Sequence, residues 1–387
     1  MNLKKLASIT AAAATFACGP ALADQGVSAN EVVIGTIQDL SGPVASYGKD
    51  MLNGMKMQIA EINDRGGVHG RKIKLLAEDN GYDPKKAAFA AQKLVDQEKV
   101  FLIAGHLGTA ANLAAMPVQF EKNVINFLPL SNSLEMYEPV HKLKYGFAPP
   151  DFDQARAAVS RLYKEKKASK ACALYQDDDF GLGVMRGAEA GLKDVGAEMV
   201  ERVSYKRGAT DFSSQVARLK ASGCDFVAAG TLIRETIGAI MEMRKLDYSP
   251  TVIGVTAAYS HMIPKLGGKS MDGFYAAMFA QHPYLDDASQ PLSAWAGKYM
   301  STFNSEPTVF SVYGYAIMER LVAALQKTGP NLTTDSFAKA MESLTVPADI
   351  FGIPVMTYTA KNHLGSNKLR ISQIQDGRWK VVYDYPK

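Results

Sequence analysis

The stretch FLIAGHLGTAAN, Phe101 to Asn112, starts as four apolar residues, turns on Gly105 and Gly108, and runs into an Ala-rich segment from Thr109. A short apolar run bounded by glycines reads as a buried strand, and the apolar spacing of TAANLAAMPVQFEKN reads as a helix. Strand, glycine turn and helix together form the unit of a parallel α/β sheet. The same unit lies on both sides of this stretch. EVVIGTIQDL is a strand and turn, followed by a helix with Met51, Met55, Ile59 and Ile62 at helical spacing and Gly66-Gly67 as its stop. RKIKLLAED and DPKKAAFAAQKLVDQ are the next strand and helix, with Pro84 in the first helical turn, and VINFLPLS is a further strand.

The rhythm breaks at GFAPPDFDQA, residues 146–155, where a double proline marks a boundary. A second β-α series follows: ACALYQD, a helix over 181–195, a strand over 198–203, SSQVARLKASG, DFVAAG, RETIGAIMEMRKL and TVIGVT. Helices are expected over 291–304 and 311–328, and RISQIQDGRWKVVYDY reads as terminal strands. The fold class is therefore α/β, with two doubly wound parallel-sheet lobes.

The chain has 387 residues, 47% hydrophobic and 21% charged, which suits two packed cores and not disorder. A formal charge of +4, with no long Lys/Arg run, argues against a nucleic-acid partner. MNLKK followed by LASITAAAATFACG and the A-x-A site Ala21-Leu22-Ala23 reads as a secretory signal peptide cleaved before Asp24. Its removal takes Lys4 and Lys5 and lowers the formal charge from +4 by two. Cys18 offers the weaker alternative of a lipid anchor, against which bulky Phe16 stands. No later run approaches the roughly 18 apolar residues of a membrane helix. The mature protein is expected to be exported and soluble. Cys172 and Cys224 could pair in an oxidising compartment, but both lie beside apolar strand-like runs and read as two buried thiols.

Parallel sheets bind ligands beyond the carboxyl ends of their strands, so the loops there carry the function. They contain no Gly-Lys-Ser/Thr phosphate loop, no G-x-G-x-x-G after the first strand and no G-x-S-x-G elbow. The six histidines lack metal-ligand spacing, and Asp177 to Asp179 read as a solvated loop. Neither a catalytic residue nor a cofactor or metal is expected. What remains is capture of a small anion. Thr109 opens a helix whose first N–H groups are free, which suits one carboxylate; Ser131 and Asn132 in PLSNS add polar donors at another strand end. On local sequence alone these are a plain helix cap and an ordinary turn.

SGPVASYG, NDRGGVHGRKIKL, EDNGYDPKKA, GHLGTA, DFGLG, ATDFSSQVARLKASGCDFV and SVYGYAIMERLVAAL occur in an order that resembles the periplasmic solute-binding proteins of ABC transporters, in their leucine/isoleucine/valine-binding branch. The resemblance covers nearly the whole mature chain. It implies two lobes that close on a ligand by a hinge, with crossovers near 147, 278 and 355. Lobe 1 is then 24–147 plus 279–354, and lobe 2 is 148–278 plus 355–387. It also implies that His106, Leu107, Gly108 and Thr109 in one turn, and Leu130, Ser131 and Asn132 in another, hold the ligand's carboxylate. Tyr47 and Phe180 match aromatic residues that cover the ligand.

The departures from the family pattern shape the expected ligand. Thr256 stands where amino-acid binders carry the acid that pairs with the ligand's ammonium, and a buried unpaired ammonium costs several kcal/mol. Leu232 stands where another pocket tyrosine would be, and nearby Arg234 could read a carboxylate in bidentate fashion. Tyr82 and Gly108 occupy the positions of a family disulfide. With Tyr259 as a further wall and Asp178 as acceptor for a ring hydroxyl, the expected ligand is an aromatic carboxylate of benzoate or phenylpropenoate type. The alternatives are a branched-chain or other amino acid, or a role as an exported ligand sensor. The expected partner is the membrane permease of an ABC importer, and a monomer is expected. An enzyme would need a nucleophile–base pair or a cofactor loop, and a regulator of this architecture would need an N-terminal helix-turn-helix.

Overall fold

The computed structural model describes residues 24–384. The expected signal peptide, with Cys18, lies outside the described residues. The first lobe starts with β1 (Glu31–Gln38), α1 (Ala45–Asp64), β2 (Lys72–Asp79), α2 (Pro84–Gln92), β3 (Leu102–Ala104), α3 (Thr109–Glu121), β4 (Ile125–Phe127) and β5 (Lys144–Tyr145). The second contains α4 (Asp151–Glu165), β6 (Ala171–Gln176), α5 (Asp179–Lys193), β7 (Met199–Tyr205), α6 (Ser213–Ala221), β8 (Phe226–Gly230), α7 (Ile233–Lys245), β9 (Thr251–Gly254), α8 (Met262–Gly267) and β10 (Tyr275–Met278). The chain then returns to the first lobe with α9 (Gln290–Phe303), α10 (Val309–Thr328), α11 (Thr334–Met341), β11 (Thr345–Val346) and β12 (Met356–Thr357), and ends on the second with β13 (Arg370–Gln375) and β14 (Arg378–Tyr383).

The first sheet has the order β2-β1-β3-β4-β5, all parallel. The second runs β14-β13-β10-β9-β8-β6-β7. Its parallel part, counted from β6, repeats the order of the first sheet, so each lobe reverses strand order at one point: between β1 and β3, and between β6 and β8. Helices leave opposite faces of the sheet there, which opens a crevice at the strand ends. The two-lobed α/β expectation holds, except that the second sheet is mixed. β13 and β14 are antiparallel, because the two-residue turn Asp376-Gly377 folds them into a hairpin on the β10 edge.

The third crossover lies later in the chain than 355. β12 pairs with β11, the Tyr358 hydroxyl donates to the carbonyl of Gly146 at 3.1 Å, and Gly146 N–H donates to His363 at 2.8 Å. These bonds hold residues 356–364 on the first lobe, and the chain passes over between Leu364 and Arg370.

α10 packs along α1 at very short range. A Cβ on Gly54 would fall 1.9 Å from the Ser311 carbonyl, and one on Gly314 2.0 Å from that of Met51. Only glycine allows this approach, and it brings the first turn of α10 to the cleft. Cys172 and Cys224 are not free thiols. They form a disulfide with Cα atoms 6.0 Å apart. β6 and β8 are neighbours with Ala171 opposite Phe226, so the residue after one partner and two before the other meet in bonding range. Among the described residues, no helix is long and apolar enough to cross a membrane.

Candidate functional site

Each loop at the strand ends is shaped by its own polar residues. After β1, the Asp39 carboxylate accepts N–H bonds from Ser41, Gly42 and Val44, at 2.8 Å from Val44. That tight turn aims Val44 and Tyr47 into the cleft. After β3, Gly108 takes φ +96°, a left-handed value that a side chain would strain. Asn112 Nδ2 pins the turn from behind by donating to the carbonyls of His106 and Gly108, both at 2.8 Å. α3 therefore starts at Thr109 with no side-chain cap on its N-terminus.

These loops enclose a cavity of about 490 Å³ between the lobes, mouth included. Its apolar end is formed by Val44, Tyr47, Tyr82, Phe310 and Tyr313 of the first lobe, against Phe180 and Leu232 of the second. Tyr47 stacks on Phe310 with ring centroids 3.7 Å apart, and its hydroxyl donates to the Ala257 carbonyl at 2.6 Å, across the cleft. Arg207 of the second lobe lies over the Tyr82 ring at 4.8 Å and donates to the Tyr82 carbonyl at 2.9 Å. Asn132 Nδ2 donates to Thr256 Oγ1 at 2.8 Å. The lobes are thus in contact along the cleft.

The polar end has two characters. On one side stand donors: the uncapped start of α3, with Ser131 Oγ donating to Thr109 Oγ1 at 3.0 Å. Helix N–H groups and the helix dipole favour an anion there. On the other side stand acceptors. Asn132 Oδ1 is buried without a hydrogen-bond partner among the described residues. Asp151, at the start of α4, is 5% exposed and lines the same cavity. Its carboxylate has one hydrogen bond, from Asn132 Nδ2 at 3.5 Å, and no cation beside it among the described residues. Burial pushes its pKa up to about 8, with the Asn132 contact a smaller opposing effect.

Of the residues expected from the sequence, Tyr47, Leu107, Gly108, Thr109, Leu130, Ser131, Asn132, Phe180, Leu232 and Thr256 line the cavity. Four do not. His106 is fully buried under its loop, and burial lowers it to about 3, so it packs as a neutral ring. Asp178 caps α5 and pairs with Arg207 at 2.7 Å, which leaves its carboxylate engaged. Arg234 is exposed on the outer side of α7; the neighbouring Glu235 is the buried one. Tyr259 turns away, accepting the His282 N–H at 3.2 Å and packing on Trp379.

Sequence reasoning did not find Asp151, Tyr82, Val44, Ala257, Phe310 or Tyr313 as site residues. The signal for Asp151 was present in Pro149-Pro150-Asp151, where an acid opens a helix at the point where the chain changes lobes.

Two doubly wound lobes holding a small cavity between their switch points define a two-lobed ligand-binding protein. The family model described as "Periplasmic binding protein" matches residues 31–378. The chain belongs to that family, in its leucine/isoleucine/valine-binding branch. It is 26% identical over 304 residues to an amino acid binding protein of Pseudomonas aeruginosa, covering 78% of this chain and 80% of the relative. It is 24% identical over 353 residues to the Leu/Ile/Val-binding protein of Escherichia coli, covering 89% and 91%. Among solved structures it resembles a fatty acid ABC transporter substrate-binding protein from Thermomonospora curvata, with TM-score 0.83, 21% identity and coverage of 94% of each chain.

Proposed function

We propose that this protein is the periplasmic substrate-binding component of an ABC importer and captures an α-amino acid with an apolar side chain. The observation that carries this reading is the buried Asp151 carboxylate, with no cation beside it among the described residues, lining the same cavity as the uncapped α3 N-terminus. A zwitterion satisfies both sides. Its carboxylate takes the N–H groups of α3 and the Ser131 hydroxyl; its ammonium donates to Asp151 and to Asn132 Oδ1. Its side chain enters the aromatic end. The aromatic-acid expectation rested on the missing carboxylate at Thr256, and Asp151 supplies one from another element. The names of the Pseudomonas and E. coli relatives support the same reading.

Binding then works by population shift. Closing the empty cleft buries Asp151 without a counter-ion, which is unfavourable; the ligand's ammonium removes that cost and favours the closed form. The closed lobes would dock on the permease, and no chemical step is involved.

The test is calorimetric titration of residues 24–387 with apolar α-amino acids, aromatic carboxylates and short aliphatic acids. Binding by amino acids, lost by about 3–5 kcal/mol in Asp151→Asn, is the expected result. Binding by aromatic acids alone would restore the earlier expectation. Loss in Glu235→Gln with Asp151→Asn unaffected would move the ammonium site to α7.

A further inference from the structure

Beside the cavity lies a second space of about 690 Å³, a crevice between the lobes. Thr109, Asn132, Asp151 and Phe180 line both spaces. The crevice therefore meets the cavity on the side of Thr109, Asn132, Asp151 and Phe180, and not on the side of Tyr47, Tyr82, Phe310 and Tyr313. Beyond the shared wall it carries two exposed acids, Glu135 and Asp179, and one exposed base, Arg186.

We propose that the site also takes short peptides, with an apolar C-terminal residue in the cavity and the preceding residue in the crevice. This rests on the amino-acid reading above. A peptide keeps the C-terminal carboxylate at α3 and the side chain in the aromatic end. Its peptide N–H, with one proton in place of the ammonium's three, donates to the unpartnered Asn132 Oδ1 beside Asp151. A neutral donor suits a carboxyl that burial already holds protonated near neutral pH. One further residue carries the new ammonium roughly 3.3–3.6 Å onward, toward the acids of the crevice. Extension from the side chain instead would run into Tyr47, Tyr82, Phe310 and Tyr313.

Gly183 makes the crevice testable. It lines the crevice and not the cavity, and a Cβ built on it meets nothing within 4 Å. A large side chain there fills the crevice from a helix that gains propensity by losing glycine. Leucine, phenylalanine, glycyl-leucine and glycyl-phenylalanine are titrated into the wild type, Gly183→Trp and Gly183→Ala, with melting temperatures as a check on folding. The expected result is a dipeptide Kd within about tenfold of its parent amino acid, raised at least about thirtyfold by Gly183→Trp while the parent is unchanged and Gly183→Ala changes neither. Parents that bind while dipeptides are at least about a hundredfold weaker overturn the inference and leave the amino-acid reading intact. Equal weakening of parent and dipeptide by Gly183→Trp also overturns it. If neither parents nor dipeptides bind, the amino-acid reading itself fails and takes the inference with it.

Discussion

Asp151 and Asn132 meet at the seam between the lobes: the Asp151 N–H donates to the Asn132 carbonyl at 2.5 Å, and Asn132 Nδ2 lies 3.5 Å from Asp151 Oδ1. The backbone bond fixes the start of α4 against the PLSNS turn. The side-chain contact is too long to compensate a buried carboxylate, and the group's pKa rises to about 8 from an ordinary 3.8. A raised carboxyl means that the closed empty protein keeps a proton the unfolded chain has already released. Stability of the empty protein is therefore lost as pH rises from about 4 to about 8. Asp151→Asn removes the titrating group, and should raise the stability of the empty protein at pH 8 by roughly 1–3 kcal/mol while abolishing amino-acid binding. Denaturation of both proteins at pH 5 and pH 8 checks this. A variant less stable than the wild type at pH 8 would show that the carboxylate has a partner in the folded protein.

Arg207 crosses the cleft through two contacts, to the Tyr82 ring and the Tyr82 carbonyl, and pairs within its own lobe with Asp178. The two Tyr82 contacts depend on the lobes being together, so they hold the closed form and slow ligand release, while the Asp178 pair lies within the second lobe and positions Arg207. Arg207→Ala should raise the dissociation rate about tenfold and leave association nearly unchanged. Arg207→Lys keeps a charge for Asp178 but loses the planar stacking, and should fall between. Stopped-flow measurement of both rates decides; an unchanged dissociation rate in Arg207→Ala counts against the latch.

The loops after β1, β3 and β4 were legible because their chemistry is local. Glycines at the turn, an acid to tie it and a helix start are all contiguous in sequence. Tyr82 and Gly108, far apart in sequence order, touch, with a Cβ on Gly108 falling 2.9 Å from the Tyr82 ring. What was not legible depends on packing. Arg234 and Glu235 are adjacent, and the rotation of α7 alone decides that the acid is buried and the base exposed. Asp151 follows two prolines, and whether it faces the cleft depends on how α4 docks. Phe310 and Tyr313 reach the cavity only because Gly54 and Gly314 let two helices distant in sequence approach so closely.

The Cys172–Cys224 bond closes a loop with a sequence separation of 52 within the second lobe, away from the residues that line the cavity. Its contribution is the restriction it places on the unfolded chain, about 2–4 kcal/mol. Replacing both cysteines by alanine should lower stability by that amount and leave ligand affinity within about twofold. Urea denaturation and titration of the same preparation separate the two effects. A large loss of affinity in a folded variant would mean that the disulfide positions the cleft.

His261 and His282 stack at 4.9 Å between ring centroids, one at the start of α8 and the other on the second crossover. Burial, then the neighbouring Lys265, lowers His261 to about 4 against the opposing pull of Glu306; burial, then His261 and Arg378, holds His282 well below the usual histidine range. Both rings are therefore neutral in the folded protein at pH 6, while the unfolded chain begins to protonate near 6.5. As pH falls from about 6.5 towards 4 the unfolded state takes up protons that the folded state refuses, so this pair withdraws stability across that window. Asp50 and Glu319, which burial raises to about 6 and about 7, act in the opposite direction, so the total pH profile does not isolate the histidines. The difference between proteins does. His282→Asn should lose less stability than the wild type between pH 6.5 and pH 4, by up to about 1.4 kcal/mol per unit of pH. Parallel profiles for the two proteins across that range would show that His282 titrates normally in the folded state and that its burial carries no charge penalty.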